Sequence, residues 1–271
     1  MKLNPKGVCI LLLIPTITLS SYAQKSVTSK MKIQTSYESK KMTWTSKSDK
    51  AIAIAHIAAE HYLNAEFPQA YDEFSQAVKI DPNFTVALTF LTYMSKGEVK
   101  QQFAERTTKS LEGKTEGEKL FASLADPNIS RESRRTTLEK LHEMFPDGAI
   151  LNFFYVTSRP TAEERYTATQ EYVNRFPKKP WGYNLLGYMF MNDRKDPSTA
   201  KIYFEKYLEL YPEGYNPYDS MGEYYMTIGD NENAKKYYTL ALEKYPFNST
   251  SLAAMEKLNK AGSTQVASSP N

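Results

Sequence analysis

The residues best suited to chemistry lie in one stretch, NPYDSMGEYYMTIGD, residues 216–230. Asp219 and Ser220 set a carboxylate beside a hydroxyl, and Glu223 follows Asp219 one helical turn on. Two carboxylates on one helix face are what a general acid/base pair requires, and the tyrosines around them would tune their proton affinities. Other patterns are weaker. HIAAEH (His56, Glu60, His61) resembles a zinc helix, but its H-x-x-x-E-H spacing leaves the histidines about 140° apart around a helix, too far to share an ion. EGKT, residues 112–115, ends like a phosphate loop, yet the motif's first glycine would fall at Thr108 and no strand precedes it. The chain has three histidines, and His142 falls on the second helix of a hairpin, so a serine–histidine nucleophile finds no support. No metal and no cofactor are expected.

Composition narrows the classes further. Residues 1–23 read as an export signal: Lys2 and Lys6, then the apolar run VCILLLIPTITL, then SYA before Gln24, which places cleavage after Ala23. The run is short for a bilayer span and is broken by Pro15, so no integral membrane segment is expected after cleavage. Cys9 lies at the start of that run, where a lipidated cysteine would follow it. Cleavage removes this only cysteine, and with it disulfides, thiol nucleophiles and Cys-based metal sites. Of 34 basic residues, 32 remain once Lys2 and Lys6 are gone, against 31 acidic ones. Residues 51–271 carry 25 Lys/Arg against 29 Asp/Glu, which disfavours nucleic acid as a partner.

The elements that must position the acids repeat along the chain. Pro82, Pro146, Pro177, Pro212 and Pro246 follow similar aromatic or aliphatic endings, at gaps of 64, 31, 35 and 34 residues. The long gap is near two periods, with a proline missing near Lys114. Between prolines, apolar and small residues keep the 3.6 period on two successive helices. One unit reads Tyr218, Met221, Gly222, Tyr225, then Ala234, Tyr238, Ala241. The unit before it reads Tyr183, Leu186, Gly187, Phe190, then Ala200, Phe204, Tyr207, with one extra residue in its turn. The first reads Ile54, Ile57, Ala58, His61, then Ala70, Phe74, Ala77.

These residues resemble tetratricopeptide repeats, whose pattern is W-x2-L-G-x2-Y, then A-x3-F, then P. The resemblance implies an all-α, right-handed superhelical array of antiparallel helix hairpins, a TPR-like α-solenoid. Clear repeats fall at about 51–84, 180–213 and 215–248. Residues 85–178 read as divergent hairpins lacking the small-residue positions, and 249–260 as a capping helix. The array covers 49–260, between a flexible or extended segment at 24–48, with Ser48 or Asp49 capping the first helix, and a disordered tail at 261–271. The order of TSKSDKA, IDPNFTVAL, TEGEKL and NPYDSMGE is similar to that in a group of exported or sensor-linked bacterial TPR proteins.

In such arrays the first helix of each hairpin lines the concave surface. The resemblance therefore implies a groove holding Trp181, Asn184, Tyr188 and Met191, then Asn216, Asp219, Ser220, Glu223 and Met226. Trp181 and Tyr188 would form an aromatic ledge beside an acidic strip, suited to a protein or peptide partner that presents Lys, Arg or an amine. The reading is a non-enzymatic interaction module or scaffold of the periplasm or cell exterior. Two other classes compete with it: an enzyme or accessory subunit with Asp219 and Glu223 as acid/base pair, and a self-assembling structural protein. Oligomeric state is not encoded in any of these features. In the opening stretch itself, Asn216 is suited to cap a helix and Pro217 to its first position.

Overall fold

The computed structural model describes residues 40–267, with side chains described to residue 260. The expected signal peptide and residues 24–39 lie outside the described residues. Thirteen helices and no strand occur among the described residues. They pair in order as antiparallel hairpins: α1 (Asp49–Leu63) with α2 (Phe67–Ile80), α3 (Thr85–Met94) with α4 (Gly97–Lys109), and α5 (Glu116–Ser123) with α6 (Arg131–Met144). Then follow α7 (Ala149–Thr157) with α8 (Ala162–Arg175), α9 (Trp181–Tyr188) with α10 (Pro197–Leu210), and α11 (Asn216–Thr227) with α12 (Asn231–Lys244). A last helix, α13 (Ser249–Ala267), packs on α12 and α11. It runs past residue 260, so the expected tail of 261–271 is helical through Ala267.

Local chemistry sets the boundaries. Ser48 caps α1 by accepting the Ala51 N–H, and Thr115 and Thr161 close reciprocal capping boxes with Glu118 and Glu164. Asp196 and Asp230 cap α10 and α12 through the N–H groups of Thr199 and Asn233. The missing proline near Lys114 is replaced by a turn in which Gly113 adopts a φ of +71°. The extra residue expected in the fifth unit is absorbed as a π turn, Met189–Asp193, where the Arg194 N–H reaches back to the Met189 carbonyl at 3.1 Å.

Packing within a hairpin depends on an aromatic ring lying against a small residue. A Cβ on Gly187 would sit 2.6 Å from the Phe204 ring, and one on Gly222 would sit 2.7 Å from that of Tyr238. Ala58, Phe74, Phe204 and Tyr238 are all buried. One of the middle hairpins, which the sequence pattern reads as lacking the small-residue positions, has a glycine against a ring at a different place. A Cβ on Gly117 would meet the Phe145 ring at 2.6 Å, but Gly117 stands earlier in its helix than the repeat pattern places it.

The array also closes on itself. The α1–α2 turn, held by Ala65 at a φ of +60°, brings Glu66 to the last hairpins. The Glu66 carboxylate is 3% exposed and accepts the Tyr211 hydroxyl at 2.8 Å and the Tyr215 N–H at 2.8 Å, with the Asn216 N–H at 3.4 Å. The Tyr207 hydroxyl donates to the Asn64 carbonyl at 3.2 Å, Lys179 pairs with Glu60, and Leu63 joins Val156, Tyr172 and Trp181 in one apolar cluster.

Two outcomes follow for stability. Gly222→Ala forces overpacking against Tyr238 and lowers unfolding free energy by about 1–3 kcal/mol in urea titration, with the helical spectrum retained. Glu66→Ala leaves three donors short of an acceptor and costs about 1–3 kcal/mol, and much of that loss disappears when the same change is made in a Tyr211→Phe background.

Candidate functional site

The acids of the opening stretch lie on α11, and their surroundings decide what they can do. Asp219 is 6% exposed. Its Oδ1 accepts the Asn248 amide at 3.0 Å and the Ser251 hydroxyl, both at the start of α13. Burial pushes its carboxyl above the usual aspartate range; the Ser251 and Asn248 bonds oppose that rise and the Glu223 charge adds to it. Asp219 therefore ties α11 to the capping helix. Ser220, also buried, donates to Asn184 Oδ1 at 3.0 Å across the interface with α9. The Tyr188 hydroxyl donates to Glu223 Oε2 at 2.7 Å and lies 3.3 Å from Ser220 Oγ. Burial, with the Glu223 charge beside it, raises the Tyr188 phenol well above its ordinary value.

The sequence-predicted groove residues thus divide. Asn184, Tyr188, Ser220 and Glu223 form one connected polar strip across two hairpins, with Tyr188 and Glu223 half-buried. Trp181 is not an open aromatic ledge. It is 7% exposed and packs edge-on against Phe153 at 4.6 Å and Tyr172 at 4.9 Å of the preceding hairpin, in an apolar cluster that Leu63 also joins. Asn216 is not an N-cap. Tyr215 holds that position, Asn216 opens the helix with Pro217 behind it, and its amide donates to the Tyr207 hydroxyl at 3.0 Å. Glu66 supplies the acceptor for those first N–H groups.

The histidines of the weaker motifs make separate contacts. His61 Nδ1 lies 2.7 Å from Glu73, whereas His56 stacks on Trp44 at 4.4 Å, and burial lowers its pKa despite Glu60. Among the described residues no group of three or more His, Cys, Asp or Glu side chains is placed to hold a metal. No helix among them is long and apolar enough to cross a membrane. His142 stacks on Tyr155 and bonds Asn152 at 2.8 Å.

Sequence reasoning missed two features. Glu66, in the turn sequence NAEFP, gave no sign of a partner some 150 residues away. Residues 40–47 lie extended across the first hairpins, with Met42 and Trp44 buried; the signal was there in the apolar i, i+2 alternation of KKMTWTSK.

An all-helical stack of hairpins with aromatic-on-small packing and a polar strip on its first helices defines a repeat scaffold. More particularly, the chain carries tetratricopeptide repeats: tetratricopeptide-repeat family models match residues 185–214 and 215–248. No curated protein sequence matches the chain. Among solved structures, yeast Tom70 is similar at 14% identity over 89% of this chain and 58% of its own, with a TM-score of 0.53. The Cut9–Hcn1 hetero-tetramer of the APC/C matches at 14% over 88% and 46%, with a TM-score of 0.48. A thermophilic TPR protein of Thermus thermophilus matches at 14% over 77% and 98%, with a TM-score of 0.37. The chain spans about half the length of the first two. At 14% identity the Tom70 match shows likeness of fold alone.

Asp219 yields a signed pH effect. Its folded pKa is raised, so its contribution to stability is full below its ordinary value and is lost as pH rises through the raised one. Asp219→Asn keeps an acceptor and removes the charge. Denaturation at pH 4 and pH 7 should show the variant gaining on the wild type at the higher pH; an equal difference at both would mean the carboxyl is unperturbed.

Proposed function

We propose that this protein is a non-enzymatic interaction scaffold of the periplasm or cell exterior, released from its signal after Ala23. Its partner is a protein segment presenting Lys, Arg or an amine to the inner surface formed by α9 and α11. Tetratricopeptide repeats support protein partners as a class. The observation that carries the finer reading is Glu223. Its Oε2 is held by Tyr188 at the end of a network that also includes Ser220 and Asn184, and its Oε1 accepts nothing from the described residues. A half-buried carboxylate fixed in place with one oxygen to spare favours an incoming cation. The acid/base alternative is weakened because Asp219 is enclosed and both its donors are structural. An occupant of the groove would lie along Asn184, Tyr188 and Glu223.

A photo-crosslinking residue placed at Met226 in the full chain, expressed in its native envelope, tests this. A discrete partner adduct is expected on protein whose first residue is Gln24, with its yield reduced about tenfold by Glu223→Lys and less by Tyr188→Phe. An adduct indifferent to Glu223→Lys, while the melting curve is unchanged, would sink the reading.

A further inference from the structure

Residues 40–47 precede the first helix and lie against the array as an extended strap. Carboxylates from three sites hold its polar groups. Asp147, just before α7, accepts the Lys40 N–H at 2.8 Å and returns its own N–H to the Lys40 carbonyl at 3.2 Å. Glu118 in α5 accepts the Thr45 N–H at 2.7 Å and the Thr45 hydroxyl at 2.9 Å. Asp81, after α2, accepts the Ser46 hydroxyl at 2.6 Å and the Lys47 N–H at 3.0 Å. Between these anchors the side chains alternate, as in any extended segment. Met42 and Trp44 are buried among first helices, with Trp44 stacked on His56 of α1 and 6.3 Å from Phe90 of α3, whereas Lys41 and Thr43 are exposed.

Backbone bonds for affinity and buried alternate side chains for selection are the means by which a groove reads an extended peptide. Charge agrees: residues 24–50 carry seven lysines against two acids, and the groove supplies the carboxylates. The strap is covalently continuous with the array at Ser48 and otherwise held by these non-covalent contacts, while the hairpins pack on one another directly. Beside it a cleft of about 220 Å³, walled by Met42, Trp44, His56, Leu63, Ile150 and Phe176, gives an incoming chain a place to begin exchange.

We propose that residues 40–47 are a displaceable ligand held in cis, and that the groove beneath them takes extended protein segments of the same kind. Such a segment carries an apolar residue, an aromatic one two positions on, two hydroxyl residues after that, and flanking lysines. The strap then sets the threshold for that partner, since only the strap-free fraction of the protein can bind it. This groove is separate from the Glu223 strip.

The test uses the full chain and a fluorescent peptide, KKMTWTSK, read by anisotropy. Trp44→Ala weakens the strap and is expected to bind the peptide at least about tenfold more tightly than the wild type does. A peptide with its tryptophan replaced by alanine binds neither, and Glu223→Lys leaves peptide affinity unchanged, so this proposal can fail without the other. In the unmodified protein, hydrogen exchange at Thr45 and Lys47 is expected at least about tenfold faster than in α3 and α5. Equal peptide affinity for both chains overturns the proposal, as does strap exchange only with global unfolding. Loss of the helical spectrum in Trp44→Ala does so too, because the groove would then not exist empty.

Discussion

The buried carboxylate of Glu66 is the constraint on which this array's shape turns. A charge removed from water is tolerated only where donors surround it, and here the donors are the Tyr211 hydroxyl and the first N–H groups of α11. The positive end of one helix and the buried negative charge of a distant turn satisfy each other. Because that bond joins the first hairpin to the fifth and sixth, it sets how far the intervening hairpins curve. The first hairpin's Leu63 shares an apolar cluster with Val156, Tyr172 and Trp181.

What the sequence made legible is what repeats. Gly187 with Phe204 and Gly222 with Tyr238 recur at fixed spacing, and their packing reports hairpins wherever the pattern holds. Ser48 and the Asp196–Pro197 pair mark helix starts by chemistry that acts within a few residues. Position in a groove is a different kind of information. Trp181 has the periodicity of an inward-facing residue, but whether such a residue meets solvent or a neighbour's rings depends on contacts between units, here with Phe153 and Tyr172, to which the pattern within one unit is blind. Asn216 shows the same limit. Its type suits an N-cap, and a carboxylate from elsewhere in the chain took over the work.

The apparent active site is explained by interfaces. Asp219 bonds the cap, Ser220 bonds the neighbouring hairpin, and Tyr188 fixes Glu223. Hydroxyls and carboxylates gather there because two repeats and a terminal helix must be joined where their first helices meet. Glu223 Oε1 and Asp219 Oδ2 are the carboxylate oxygens this joining does not use, and of the two residues Glu223 is the less buried. The strap makes a parallel case at the other end, where Asp81, Glu118 and Asp147 bind a segment of the chain as they would bind a visitor.

Closure also changes what kind of polymer this is. A solenoid whose units touch only their neighbours folds with short-range contacts and can fray from either end. Here hydrogen bonds join residues 145 to 150 positions apart, so a loop of that length must close before they form. The first hairpin, first to leave the ribosome, cannot complete its contacts until the sixth arrives. The turn at Ala65 and Glu66 therefore couples the two ends of the chain in time as well as in space, and gives a modular sequence the cooperativity of a globular domain.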